Sequence, residues 1–316
     1  MMNPIDLSVI VCTLNRSCLL EKCLESLETQ EADQFTFETI VVDNGSVDGT
    51  KEVTELFKPR IKNLHYVSEP QKGLGRARNS GFQTSQGRFV AYIDDDAQAS
   101  PEWCATICRS FDLLQAEGKS EIAALGGPSE PLFEGERPEW FSPEISTYYA
   151  AWSLEDQITL YPPGLHPIGA NCAFRRDVLL KNPWNTELLM LEDVDLFRHL
   201  HQNGYVGLYI PRMRIKHFIP QNRLNLDWLL ERRYTEGIAQ AQTFLFRERL
   251  VRRIQVAGFS LLKFICFSGF SFFGTPERKA LSRCKKMTYK GFLAAMIRRH
   301  DLAAHSYLSE KWESKK

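Results

Sequence analysis

The apolar positions of the chain fall into short runs separated by segments of helical period. Leu7–Cys12 (L-S-V-I-V-C) is rich in β-branched residues and reads as a buried strand. After the polar break Thr13-Leu14-Asn15-Arg16, Ser17 is placed to cap a helix whose Leu19, Leu20, Cys23, Leu24 and Leu27 recur at helical spacing. Phe37–Val42 is a second strand, ending in the turn-rich loop Asp43–Thr50, where Asp48 can cap the next helix. Leu64–Val67 is a third strand, Gly73–Ser85 a helix with a glycine-rich entry, and Arg88–Ile93 a fourth strand. Ser100-Pro101-Glu102 opens a helix that runs to about Glu117, and Ile122–Leu125 is a fifth strand. These strands are apolar throughout rather than alternating, which predicts an α/β fold with a mostly parallel sheet covered by helices on both faces.

Further along, the pattern changes twice. Residues 127–165 are rich in Pro, Glu and aromatics, including Trp140, and have weak periodicity; they read as an irregular insert. Regular elements return with strand Gly169–Phe174, an amphipathic helix over Leu191–Leu200 and strand Val206–Ile210. Leu226–Arg253 then reads as helix with many arginines, and Val256–Phe273 as an apolar stretch interrupted by Lys263 and several serines. Spanning a bilayer takes ~20 predominantly apolar residues, so this stretch is marginal. Lying in the membrane interface, crossing it once and packing in a soluble core all fit, and membrane association is favoured by the basic neighbours.

Composition adds little to this picture. Lys+Arg and Asp+Glu both number 39, which carries no sign of a nucleic-acid partner, and none is expected. Positive charge nevertheless gathers near the C-terminus, at Arg247, Arg249, Arg252, Arg253, Arg278, Lys279, Arg283, Lys285, Lys286, Arg298 and Arg299. The eight cysteines include no Cys-x-x-Cys pair and read as reduced thiols. The N-terminus has neither the basic start nor the apolar core of a signal peptide, so the expected location is cytoplasmic, on the membrane face.

The candidate chemistry lies where apolar strands end. Asp94, Asp95 and Asp96 follow the fourth strand without a spacer. Three adjacent carboxylates repel one another, and a hard cation such as Mg²⁺ or Mn²⁺ would relieve that repulsion. A polar turn is the plainer reading of the same residues. In parallel sheets ligands bind beyond the carboxyl ends of the strands, and Asn15, Asp43 and the aspartate run each follow a different strand. Glu192 and Asp193 open a helix, where acids also serve simply to complement its dipole. His217 stands alone in Ile215-Lys216-His217-Phe218, a structural histidine on that evidence.

Six segments in order resemble glycosyltransferase family 2 of the GT-A fold: S-V-I-V-C-T-L-N-R from Ser8, V-V-D-N-G-S-V-D-G-T from Val41, G-L-G-R-A-R-N-S-G from Gly73, Y-I-D-D-D-A from Tyr92, G-A-N-C-A-F-R-R from Gly169 and E-D-V-D-L from Glu192. The resemblance implies an inverting transferase that moves a sugar from a nucleotide-diphosphate donor, most simply a UDP-sugar, to a glycan or lipid-linked acceptor. It implies that Thr13, Asn15, Arg16, Asp43, Gly73, Arg76, Asn79 and Asp94 line the nucleotide-sugar site. Asp96 would hold the metal with Asp94, and His217 matches a histidine sometimes found beside it. Asp95 takes the variable middle position, supports the site and is expected to tolerate change best of the three. Asn171 would approach donor sugar and acceptor, with Trp140 of the insert alongside. Asp193, or alternatively Glu192, would be the base.

A Mg²⁺-dependent nucleotidyl- or phosphotransferase and a non-enzymatic membrane scaffold are the rival readings. The absence of a Gly-x-x-x-x-Gly-Lys sequence weakens the P-loop form of the first. The expected division is a catalytic domain over 1–220, split into a nucleotide-sugar half (1–126) and an acceptor half (127–220), then a helical extension over 221–316.

Overall fold

The computed structural model describes residues 4–31, 34–154, 156–188, 190–245 and 250–297. Of the basic cluster, Arg247, Arg249, Arg298, Arg299 and the Arg253 side chain lie outside the described residues. The chain divides into two compact units. Unit 1 holds residues 1–132, 150–187 and 192–218, and unit 2 holds 133–149, 188–191 and 219–316.

In unit 1, strands β1 (Leu7–Thr13), β2 (Phe37–Asp43), β3 (Leu64–Ser68) and β4 (Phe89–Asp94) alternate with helices α1 (Ser17–Glu28), α2 (Thr50–Phe57) and α3 (Leu74–Thr84). The chain continues through β5 (Ala97–Ala99), α4 (Trp103–Ala116), β6 (Ile122–Gly126) and β7 (Ser129–Phe133). A one-turn helix α5 (Pro143–Ser146) and β8 (Thr159–Leu160) follow, then β9 (Asn171–Arg175), α6 (Arg176–Lys181), α7 (Glu192–Gln202), β10 (Val206–Tyr209) and β11 (Ile215–Ile219). Eight strands form one sheet in the order β3-β2-β1-β4-β9-β6-β10-β8, and β5, β11 and β7 form a second. Strands β3 to β4 in that order are parallel, as is β6 with β10; β9 runs antiparallel between β4 and β6.

Alternation along each strand explains the two covered faces. Val9, Val11, Val41, Phe89 and Ile93 join α1 and α4 residues such as Leu24, Trp103 and Phe111 in one buried cluster. Their neighbours Ile10, Ile40, Val42, Val90 and Tyr92 join Ala77 of α3 and Leu196 of α7 in the other. With both faces dry, these strands have no polar side to show. That is why their sequences are apolar throughout.

One expected cap is replaced. Ser17 begins α1 rather than capping it, and its N–H donates to Asp48 Oδ2 at 2.9 Å. The other oxygen of Asp48 accepts from Thr50 N–H at the start of α2. A single carboxylate therefore satisfies orphan donors at two helix starts.

Unit 2 contains α5, α8 (Leu226–Leu245), α9 (Leu250–Phe270) and α10 (Pro276–Ile297). Its core is aromatic, with Phe141, Tyr149, Ile219, Leu229 and Cys284 buried together and Tyr149 stacked on Trp228 at 5.6 Å. Helices α8 and α10 approach backbone to backbone. A Cβ on Gly237 would fall 2.0 Å from Thr288 O, and one on Gly291 2.0 Å from Tyr234 O, so only glycine fits at either notch.

Candidate active site

Register aligns the parallel strands so that their acidic ends meet. Thr13 stands opposite Asp43 on β2, and Cys12 opposite Asp94 on β4. Asp43 is buried; its carboxylate accepts from Ser46 N–H at 2.7 Å and from the Tyr66 hydroxyl at 2.6 Å. Burial, with the Asp43 hydrogen bond next, pushes the Tyr66 phenol up to about 12. Asn15 adopts a left-handed backbone (φ 54°), accepts from Val47 N–H through Oδ1 and donates its own N–H to Ser46 Oγ. The loop after β1 is thereby tied to the loop after β2.

Asn44, singled out only as a letter of a motif, ties in a third loop. Its amide donates to Glu69 O and Gln71 O, and its Oδ1 accepts from Gly73 N–H. Gly73 has φ 137°, a backbone that side-chain-bearing residues rarely adopt, and it leads directly into α3.

Strand β4 ends at Asp94, and the chain turns through Asp95 and Asp96 into β5. Strand β11 pairs antiparallel with β5, with His217 opposite Ala97, and Phe218 N–H donates to Asp96 O at 2.7 Å. This pairing brings a histidine from the far end of unit 1 to the aspartates. His217 Nε2 lies 3.1 Å from Asp96 Oδ1. Asp94, Asp96 and His217 each offer a ligand atom, and the three atoms lie within 4.8 Å of one another. Two carboxylates and an imidazole at that spacing fit a first-row divalent cation, with open positions for phosphate or water.

Asp95, at the middle position, has a partner of its own. It is 3% exposed, and Arg16 Nη1 donates to its Oδ1 at 2.9 Å and to Asp96 Oδ2 at 3.0 Å. Burial, opposed by Arg16, leaves the Asp95 carboxyl pushed up to about 6.

The side chain that the sequence reading missed is Arg78. It is 2% exposed, donates to Glu192 Oε1 at 2.8 Å and lies 3.5 Å from Asp94 Oδ1. Its guanidinium also sits 4.4 Å from the Trp184 ring centroid. A Cβ on Gly169 would come within 2.6 Å of Arg78 Nη2, so glycine at 169 leaves the guanidinium its room. Burial raises the Asp94 and Glu192 carboxyls above their ordinary range, and Arg78 pulls both back down. The available signal was its position, two residues after Arg76 in Gly73–Gly81, where it falls on the buried face of α3.

Asp193 stands next to this pair and is less buried than Glu192. Its Oδ2 accepts from Gly169 N–H at 3.1 Å and its Oδ1 from Val194 N–H. Glu192 is committed to a buried cation, whereas Asp193 is held by backbone donors beside it.

Three of the expected site residues have other partners in the structure. Asn171 is fully buried: its Oδ1 accepts from Trp103 Nε1, and its amide donates to Pro128 O and Met213 O. Asn79 exchanges two hydrogen bonds with the Trp184 backbone and braces that loop. Trp140 belongs to unit 2 and packs on its aromatic core. Arg76 stays half-exposed, bonded to Gln71 at 3.1 Å.

Proteins similar to this chain in sequence and in fold include glycosyltransferases. The model of "Glycosyl transferase family 2" matches residues 8–181. The succinoglycan biosynthesis protein ExoM of Rhizobium meliloti is 26% identical over 239 residues, which cover 74% of this chain and 73% of that protein. The glucosyl-dolichyl phosphate glucuronosyltransferase of Haloferax volcanii is 25% identical over 244 residues, with 74% and 75% covered. Among solved structures, the mannosyltransferase PcManGT of Pyrobaculum calidifontis, in complex with GDP-Man and Mn²⁺, aligns over 99% of this chain and 82% of its own. Its TM-score is 0.57 at 18% identity. TarS residues 1–349 of S. aureus, in complex with UDP, gives 0.52 at 14% identity, covering 93% and 91%. At these identities the two structures speak for the fold, which is GT-A.

Proposed function

The chain belongs to glycosyl transferase family 2 and is a glycosyltransferase, and on that premise we propose that it inverts the sugar of a nucleotide-diphosphate donor as it passes it to an acceptor hydroxyl. The donor is most simply a UDP-sugar, and the acceptor a glycan or a lipid-linked saccharide of a cell-surface or glycolipid pathway. The observation that carries this reading is the meeting of Asp94, Asp96 and His217 within 4.8 Å, beside the Arg78–Glu192 pair.

In this reading Asp43, at the end of β2, receives the base, and Thr13, Asn15 and Arg16 line the nucleotide. Asp94, Asp96 and His217 hold a divalent cation, which when bound supplies Lewis-acid charge against the leaving diphosphate. The imidazole among the ligands favours Mn²⁺ over Mg²⁺, which is usually held by oxygen alone. Arg16 orients Asp96 through its second oxygen, and Arg78 holds buried Glu192 and half-buried Asp94 in place. Asp193 accepts the acceptor proton. Its two oxygens accept from the backbone N–H groups of Gly169 and Val194. One displacement with one base inverts the anomeric centre.

Calorimetric titration of UDP with and without Mn²⁺ tests the donor half of this reading. Asp96→Asn is expected to abolish the Mn²⁺-dependent part of binding, and undiminished Mn²⁺-dependent binding in that variant rejects the metal assignment. Asp193→Asn is expected to bind donor normally and transfer nothing. If transfer persists, the base lies elsewhere.

A further inference from the structure

Helix α9 is built inside out. Leu261, Leu262, Ile265 and Phe270 are exposed on one side, with Phe272 and Phe273 exposed beyond its end. At 100° per residue the exposed positions of α9 from 258 onward form one continuous arc without a charged residue. The polar residues lie off that arc. Ser260 is buried, and Lys263 and Ser268 are half-buried. Water does not select this arrangement, because exposing so much contiguous apolar surface is costly.

The neighbouring helix shows what does. Helix α10 carries Arg278, Lys279, Arg283, Lys285, Lys286 and Lys290 against the single acid Glu277. Lys285 and Lys286 lie over the rings of Phe267 and Phe264 of α9, at 5.4 and 5.8 Å. An apolar face beside a cationic helix is complementary to an anionic lipid surface. A second copy of the chain would bring the same cations to the same face. Among the described residues no helix is long and apolar enough to cross a membrane.

By sequence alone, Lys263 interrupts the apolar stretch and makes a span marginal. In the structure it flanks the apolar arc instead of interrupting it. Its Nζ lies 4.7 Å from the Phe259 ring centroid and 5.4 Å from that of Tyr289. It lines a cleft of about 460 Å³ within unit 2, shared with Gln240, Gln255 and Ser260, and exposed Phe259 joins that cleft to the apolar arc. We propose that α9 lies flat in an anionic lipid leaflet, with Leu261, Leu262, Ile265 and the Phe272–Phe273 tip in the acyl layer and the Lys263 cleft at the level of the headgroup phosphates.

The proposal stands on unit 2 and does not rest on the catalytic reading; a chain that transferred no sugar would still bind lipid. Co-sedimentation of the full chain with vesicles of phosphatidylglycerol and phosphatidylcholine, or of phosphatidylcholine alone, tests it. Strong binding to the anionic vesicles, weakened by raised salt, is expected. The double variant Leu262→Asp/Ile265→Asp alters only exposed side chains and is expected to lose more than about tenfold in partition while keeping its circular dichroism. Lys263→Gln is expected to lose about fivefold of the preference for anionic vesicles, the worth of one cation at a charged surface. Unchanged preference in that variant removes Lys263 from the headgroup level. No vesicle binding by the wild type, or equal binding by the double variant, overturns the proposal. So does a wild-type dimer that the aspartates split, which would assign the face to a second copy. Resistance to alkaline extraction would assign it to a span.

Discussion

The carboxyl edge of unit 1 and helix α9 of unit 2 break the same rule in opposite directions. The edge buries charge: Asp95, Asp96, Glu192 and Arg78 are all under 9% exposed. Helix α9 exposes apolar surface, with Phe270 at 63% and Ile265 at 58%. A fold driven by burial of apolar area tolerates neither without a reason. On the proposed function, the reason in unit 1 is chemistry, since the carboxylates that would meet a metal-bound diphosphate are held paired with arginines. In unit 2 the reason proposed above is a lipid partner. Buried charge that is internally compensated marks a site, and exposed apolar surface that is not covered marks a surface for something else.

The sharpest way to break this contrast is to remove one charge at a time from the edge. Asp193→Asn should lower the transfer rate by roughly 10²–10⁴-fold, the range of a lost general base, with donor affinity unchanged by calorimetry. A fall in affinity instead of rate would make Asp193 a binding group. Next in size, Arg78→Met should destabilise the protein by about 3–5 kcal/mol in urea unfolding, because it leaves Glu192 buried without its cation and takes the guanidinium from half-buried Asp94. A small effect there would mean that these carboxyls are already protonated in the folded protein.

A subtler effect belongs to Asp95. Its carboxyl is pushed up to about 6 by burial, so at pH 5 the folded chain holds a proton that the unfolded chain has released. Proton uptake by the folded state stabilises it, so this contribution grows as pH falls from about 6 toward 4 and is lost as pH rises. The metal-free wild type should therefore gain on the order of 2 kcal/mol relative to Asp95→Asn between pH 7 and 4.5, read as a converging or crossing pair of Tm curves. Parallel curves would place the Asp95 pKa near the ordinary range. The smallest effect is expected at Asn171→Ala. Losing its amide leaves Trp103 Nε1 and two carbonyls wanting partners, at roughly 1–3 kcal/mol, while kcat per folded molecule stays close to wild type. A selective loss of kcat would return Asn171 to the site.

Much of unit 1 could be read from the chain. The apolar runs of β1, β2 and β4 and the helical spacing in α1 follow from which faces must be dry, and local pattern reports that directly. The carboxylates were also legible, because Asp43 and Asp94 each end an apolar run. What pattern could not report was direction. Asn79, Asn171 and Arg78 all sit in motif segments, yet the two asparagines turn inward to brace backbone and the arginine turns toward the acids. His217 is 121 residues from Asp96, and only the pairing of β5 with β11 brings them together.

The amino-acid sequence by itself determined the strand–helix alternation, the acidic strand ends and the family, because each depends on residues close together in the chain. Tertiary structure alone decided that Arg78 would neutralise Asp94 and Glu192, that Asp95 would be locked to Arg16, and that Lys263 would flank rather than interrupt an apolar face. Those outcomes depend on which side chains meet across the fold and on how little water remains between them. A buried charge is stable or costly according to its partner, and the partner is chosen by packing.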